Sequence, residues 1–388
     1  MKQHIRRRDF LRQAALVGGL APSLLASGAL ALPRRALAPL VPGRKTKHVV
    51  LIAFSGGVRS RETFGTPDNV PSMLALAKEG VSFPRLKTSN LGHFGASMSI
   101  FTGISEPRGI RDNQRGPDPT VFEYLRKDLG LAQGEVWVTT SGGAQQTNYS
   151  YGLHPEYGAR YGATILDGDG IFNAKFKTLL DEFGRPKPAS EREAALVERL
   201  RRGISDGGRE TGDEREALAR VEKYILDELT RGTTGLSGAN AGDAKALRLA
   251  RNLLTIFKPR VVGVVLQNAD VAHTSFNAYS EVVRRNDAAI GELMAAIRAD
   301  DELRDSTAVF VLPEFGRDHD LNSRRGLDHG DGSDDLNYVH GVAWGPDFKR
   351  GRVVEDELRT IDVTPTICSL FGAEAKLAKG DVLRGLFA

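Results

Sequence analysis

The chain has 388 residues, 40% apolar and 26% charged, with a formal net charge of +4. That is enough length for one large domain or two ordinary ones and enough apolar content for a substantial core, which excludes a disordered or collagen-like whole chain. Its one cysteine, Cys368, excludes an internal disulfide framework and any multi-cysteine metal or iron–sulfur site.

The N-terminus reads as an address. Arg6-Arg7-Arg8-Asp9-Phe10-Leu11-Arg12 precedes an apolar run broken by Gly18, Gly19 and Pro22, which ends in the small-residue pattern Ala29-Leu30-Ala31. A charged start, a modest apolar stretch and an A-x-A end make a removable export signal over residues 1–31, too short and too rich in Gly and Pro to span a membrane. The pair Arg7-Arg8 ahead of Phe10-Leu11 resembles a twin-arginine signal, which implies export by the twin-arginine machinery, a periplasmic or secreted product and no stable membrane insertion after cleavage. Five of the basic residues and one acidic residue lie in this segment, so the 53 basic and 49 acidic residues of the chain fall to 48 of each without it. That neutrality leaves no nucleic-acid footprint. Residues 32–47, with Pro33, Pro39 and Pro42 among several Lys and Arg, read as a linker.

From residue 48 the pattern changes. Residues 48–54 form a continuous apolar run expected of a strand buried on both faces, ending at the turn Ser55-Gly56-Gly57. Further strands are expected at 136–140, 260–266, 307–312 and 341–344, and helices at 69–79, 120–127, 173–182, 276–299 and 363–371. Strands alternating with helices predict an α/β domain over 48–388 with a mainly parallel sheet. Residues 190–257 differ: Ser190-x-x-Glu193 is a capping box opening a charged amphipathic run, and Gly-rich residues 232–242 separate it from 243–257. This stretch reads as a helical insertion whose apolar stripes need a surface to bury.

Coordinating and titratable residues concentrate after the expected strands, where open α/β sheets place ligands. Asp270 and His273 follow one strand, Glu314 and Arg317 another, Asp328-His329 lies in the loop beyond, and His93 precedes a helix ending at Thr102-Gly103. A carboxylate and two imidazoles from separate loops can hold a divalent ion with an open position. The same residues could also be ordinary structure, with His273 capping a helix, Asp328 bonding a turn and Glu314 pairing with Arg317.

The order of segments resembles the alkaline phosphatase and sulfatase superfamily. The carriers are Thr66-Pro67-Asp68-Asn69 with Leu74-Ala75, Gly80 and Phe83; Thr102-Gly103; Asp270 and His273, one residue closer than in the family; and Trp344-Gly345-Pro346-Asp347 followed by Arg359-Thr360-Ile361-Asp362. The chain departs from the family at Ser55, where a metal-binding Asp is usual, and at Glu314-Phe315 in place of Asp-His. His93 stands where the family carries its Thr, Ser or Cys nucleophile. Phe54-Ser55-Gly56-Gly57, Gly92-His93-Phe94 and Glu314-Phe315-Gly316-Arg317 with Asn322 and Gly326-Leu327-Asp328-His329-Gly330 are similar to a poorly characterised, exported branch of it.

The resemblance implies a three-layer α/β/α sandwich and a hydrolase of phosphate or sulfate esters acting on a small-molecule or glycan substrate. It implies one divalent ion rather than two (Zn, Mn, Ca or Mg), held by Asp270, His273 and His329 with Glu314 and Asp328 as further ligands. His93 would be nucleophile, general base or ligand, with Ser89 and Ser97 as weaker nucleophile candidates. The substrate anion would meet Arg59, Arg317 and the backbone of Ser55, Gly56 and Gly57. The departures leave a second reading, an inactive member that binds an anion, glycan or partner.

Overall fold

The structure is a computed structural model and describes residues 39–105, 114–141, 146–167 and 241–388. The expected signal at 1–31, the helix at 173–182 and the insertion from 190 to 240 lie outside the described residues.

Among the described residues, one nine-stranded sheet organises the fold. Its strands are β1 (His48–Phe54), β2 (Val81–Lys87), β3 (Val136–Thr140), β4 (Thr164–Asp167), β5 (Val261–Leu266), β6 (Thr307–Pro313), β7 (Tyr338–Trp344), β8 (Arg352–Val353) and β9 (Leu358–Arg359). They run in the order β4-β3-β5-β1-β6-β7-β2-β8, with β9 beside β2. The β4-β3-β5-β1-β6 half is parallel throughout, and β7 runs antiparallel to both of its neighbours.

Among the described residues the helices are α1 (Pro71–Glu79), α2 (His93–Thr102), α3 (Val121–Asp128), α4 (Gly242–Phe257), α5 (Phe276–Ala299), α6 (Asp301–Arg304), α7 (Asp334–Asn337) and α8 (Val363–Leu370). Successive side chains of a strand point to opposite faces, and β1 shows the consequence. Val49, Leu51 and Ala53 join one core with Phe94 and Phe101 of α2, Phe122 of α3 and Ile367 of α8. Val50, Ile52 and Phe54 join the other with Met73 of α1, Leu254 of α4 and Leu293 of α5. The sheet is therefore covered on both faces, which is why its central strands β1, β5 and β6 read as near-continuous apolar runs. Gly263 in the middle of β5 is a packing device: a Cβ there would lie 2.7 Å from Cζ of Phe122.

Two stretches expected to lie outside the main α/β pattern make contacts with it. Residues 243–257, read as the end of a helical insertion needing a surface to bury, form α4, which lies on the sheet with Ala246, Leu247, Ala250 and Leu254 in the same core as β5 and α5. Within the expected linker, the described residues 39–47 also touch the domain. The N–H groups of Lys45 and Thr46 donate to the Asp347 carboxylate at 2.8–3.1 Å, and Arg44 stacks on Phe387 at 4.1 Å. Each backbone donor so satisfied ties the chain to the domain ahead of β1.

Candidate metal-binding active site

Because β1, β5 and β6 are parallel neighbours, their C-terminal ends open on one side, and the sequence-predicted residues meet there. Ser55-Gly56-Gly57 follows β1, and Glu314 to Arg317 follows β6. Asp270 and His273 share the 3₁₀ turn Asn268–His273 after β5, and His93 is the first residue of α2. The loop carrying Asp328 and His329 is stapled to the β5 turn: Leu327 N donates to Ala272 O at 2.7 Å, and Asn322 Nδ2 to His273 O at 3.1 Å. Gly326 is required at that crossing, since a Cβ would sit 2.3 Å from Ala272 O.

One ring nitrogen from each of His93, His273 and His329 lies within 4.8 Å of the others. Two of the three rings are braced from behind. His273 Nδ1 contacts Asp328 Oδ1 at 2.6 Å, and His93 Nδ1 contacts Glu314 Oε1 at 2.6 Å. An imidazole held through one nitrogen by a carboxylate presents the other in a fixed direction, the usual arrangement of a metal-ligating histidine. Asp270 Oδ1 sits among them, 2.8 Å from His93 Nε2 and 3.3 Å from His273 Nε2. His93 Nε2 is buried and is left without a hydrogen bond even though this carboxylate lies close.

The charges of the site follow from this packing. Burial pulls His93 down, but the Glu314 and Asp270 carboxylates outweigh it and raise its pKa to about 9. Burial and the charge of His93 push His329 down to about 4, with Arg317 and His273 adding to the shift. Burial raises Glu314 above the usual carboxylate range. Asp270 is held well below that range because the His93 and Arg317 cations override its burial.

Glu314 and Asp328, expected as ligands, are placed instead behind the histidines. Glu314 is fully buried, and both its oxygens are occupied, one by His93 and the other by Ser97 Oγ. Phe315, one of the departures read from the sequence, lies beside the cluster. Its ring packs 4.9 Å from His93 and 5.1 Å from His329, an apolar floor under the cluster.

The anion-contacting residues are also placed differently. Arg59 pairs with Glu62 at 2.7 Å and donates to the carbonyls of Asp318 and His319, so its guanidinium is committed inside the protein. Arg317 is fully buried, with an acceptor for each of its five N–H groups: Gly57 O, Leu327 O, His273 Nε2, Gly56 O and Asp270 Oδ1. Ser55 N donates to Leu266 O at 2.6 Å. The Gly56-Gly57 turn, expected to cradle an anion with its N–H groups, cradles the Arg317 guanidinium with its carbonyls. Gly57 has φ +64°, and a Cβ on it would lie 2.8 Å from Arg317 Nε.

Of the weaker nucleophile candidates, Ser97 is fully buried and bonded to Ser55 and Glu314, and Ser89 pairs with Thr360 at 3.0 Å. Sequence reasoning missed the bracing role of Ser97. Its signal was the spacing of four from His93, which puts both on one helix face.

The donors present fit a divalent ion. Convergent ring nitrogens, carboxylates on the far nitrogens and an orphaned buried Nε2 are the features such an ion satisfies. To join them, His273 Nε2 has to give up its contact with Arg317 Nη1, which lies 3.1 Å away.

No family model matches the chain, and no curated protein does. Among solved structures it is similar to the alkaline phosphatase PafA, at 10% identity over 90% of this chain and 100% of that one, with a TM-score of 0.58. It is similar to a phosphonate monoester hydrolase from Silicibacter pomeroyi, at 15% identity over 88% of this chain and 76% of that one, TM-score 0.52. A putative sulfatase from Bacteroides thetaiotaomicron matches at 12% identity over 89% and 75%, TM-score 0.56. At such identities the likeness defines the fold: a mostly parallel sheet with helices on both sides, as in alkaline phosphatases and sulfatases.

Proposed function

We propose that the protein is an exported, metal-dependent hydrolase of phosphate or sulfate esters with a divergent, single-ion centre. The observation that carries this reading is the three-histidine cluster with two carboxylate-braced rings at the open ends of β1, β5 and β6. His93, His273 and His329 would hold the ion, with Asp270 as the oxygen ligand. Three imidazoles and one carboxylate suit Zn or Mn better than Ca or Mg, which take oxygen-rich shells. A bound divalent ion supplies Lewis acidity toward a water nucleophile and a leaving ester oxygen.

The remaining residues hold the donors. Asp328 orients His273, Glu314 orients His93, and Arg317 fixes Asp270 while balancing its charge. Twin-arginine export to the periplasm or beyond, with a small-molecule or glycan ester as substrate, completes the proposal. A double substitution of Arg7 and Arg8 by Lys would keep the precursor in the cytoplasm.

The test is hydrolysis of p-nitrophenyl phosphate, bis-p-nitrophenyl phosphate and p-nitrophenyl sulfate by metal-reconstituted protein. Turnover that a chelator abolishes and Zn or Mn restores supports the proposal. A second reading, an inactive member that binds an anion, glycan or partner, is favoured by one observation: Arg59, Arg317, Ser55 and Ser97 are all committed to internal partners. Metal binding without turnover on any of the three esters would select it.

A further inference from the structure

We propose that Ser97 and Glu314 are positioning residues that fix the ring of His93 with Nε2 turned into the cluster. The effect on metal affinity rests on the reading of that cluster as a metal centre; the effect on the ring itself does not.

His93 and Ser97 are one turn apart on α2, so their side chains share the face turned to the end of β6. Glu314 arrives there from β6 with no solvent exposure. Its Oε1 lies 2.6 Å from His93 Nδ1, and its Oε2 accepts from Ser97 Oγ. Ser55, just after β1, closes the network with its hydroxyl 2.7 Å from Ser97 Oγ. A serine hydroxyl has one proton and a carboxylate only accepts. Ser97 therefore donates to Glu314, and Ser55 donates to Ser97. The hydroxyl of Tyr149 also approaches Ser97 and is itself held by Gln267 Nε2 at 2.9 Å.

Every oxygen of Glu314 is thus occupied from inside the protein, and the carboxylate cannot rotate away from His93. With its proton shared with Glu314, Nδ1 is closed to other partners, and the ring is left with Nε2 facing Asp270 and the other histidines. A network with a purely structural role would end on an internal group. This one ends on a side chain that is 24% exposed, with its far nitrogen lacking a hydrogen bond. The arrangement also explains the Ser55 and Glu314 departures together. In place of two acidic ligands, the chain carries a hydroxyl and a longer carboxylate whose combined reach spans from β1 to the His93 ring.

The test combines ¹⁵N-histidine NMR with Zn²⁺ affinity, measured by competition with a chromophoric chelator, on the intact mature protein. The His93 resonances are assigned by their loss in His93→Gln. Recorded above the His93 pKa of about 9, where the ring is neutral, wild-type protein is expected to show His93 with its proton at Nδ1 and a single ring state. Glu314→Gln is expected to give a mixture of tautomers, because an amide can turn either its oxygen or its NH₂ toward the ring. Its Zn²⁺ affinity should fall 10- to 100-fold. Ser97→Ala, small enough for the core to accept, should lower affinity by less than Glu314→Gln does, with a partial shift of the same resonances. Unchanged His93 resonances in both folded variants would overturn the proposal. So would an affinity loss above about 1,000-fold in Glu314→Gln, the mark of a removed ligand rather than a moved one. Failure of the wild-type protein to bind any Zn²⁺ would sink the metal-centre reading, and the tautomer measurement would then decide the positioning role by itself.

Discussion

Arg317 donates to Asp270 across 2.7 Å from a side chain with no solvent exposure, while the carboxylate it holds is about half exposed. The guanidinium is thus a fixed internal cation at the wall of the site, anchored by the carbonyls of Gly56, Gly57 and Leu327. Replacing it by Met leaves those acceptors and Asp270 without donors and should cost about 3–5 kcal/mol. Lys keeps the charge but brings three donors to five acceptors, and should cost about 1–3 kcal/mol. Urea unfolding of the two variants measures both costs, and a Lys variant as unstable as Met would contradict the importance assigned to the charge.

The glycine turn beneath Arg317 makes a separate prediction. Gly57→Ala combines the strain of φ +64° with a Cβ 2.7 Å from the Phe315 ring, and should destabilise by roughly 2–4 kcal/mol. Gly130→Ala has a similar φ of +65° with nothing within 4 Å, so it reports the backbone component alone, about 1 kcal/mol. The difference between their unfolding midpoints isolates the crowding. Equal midpoints would mean that the Phe315 and Arg317 side chains yield freely.

Asp328 is placed as a brace, and the brace can be told from a ligand. Asp328→Ala removes the acceptor 2.6 Å from His273 Nδ1 at an exposed position, so folding should be unaffected while Zn²⁺ affinity falls 10- to 100-fold. His273→Ala and His329→Ala should each abolish measurable binding by isothermal titration. An Asp328→Ala protein as defective as these two would return Asp328 to the ligand set.

His340 gives the chain a pH dependence outside the site. It lies on β7, stacked 3.6 Å from Phe64 with Nε2 2.6 Å from Ser82 Oγ, and burial pushes its pKa down to about 4. Unfolded, the ring titrates near the ordinary histidine value of roughly 6.5. Between these values the unfolded chain binds the extra proton, so this contribution to stability is present above about pH 6.5 and is lost as pH falls toward 4. The loss should be on the order of 2 kcal/mol. Denaturant midpoints of wild type and His340→Gln across that window test it: the variant should show the shallower decline, and parallel curves would refute the assignment.

The sheet was largely legible because its centre is buried on both faces, so β1 and β3 match their expected ranges and β5 and β6 differ by one residue. β2 escaped because Pro84 and Arg85 interrupt its apolar pattern, and the structure shows a register shift there, between Phe83 and Leu86. β4, four residues at the sheet edge, has too little pattern to see. The amphipathic stripe of α4 announced a buried face but could not say what would bury it. At the site, strand ends told which residues would meet. Which of them face the cluster and which stand behind it depends on side-chain direction and on competing internal partners. Glu62, a residue with no motif around it, is what withdraws Arg59.

The most direct test of the account is the metal content of the mature protein, exported, purified without chelators or a histidine tag, and analysed by inductively coupled plasma mass spectrometry. The account predicts one tightly bound divalent ion per chain, lost in the His273→Ala, His329→Ala double variant while the fold remains intact. No bound ion, even after reconstitution with Zn, Mn, Ca and Mg, or full occupancy in that double variant, would contradict it.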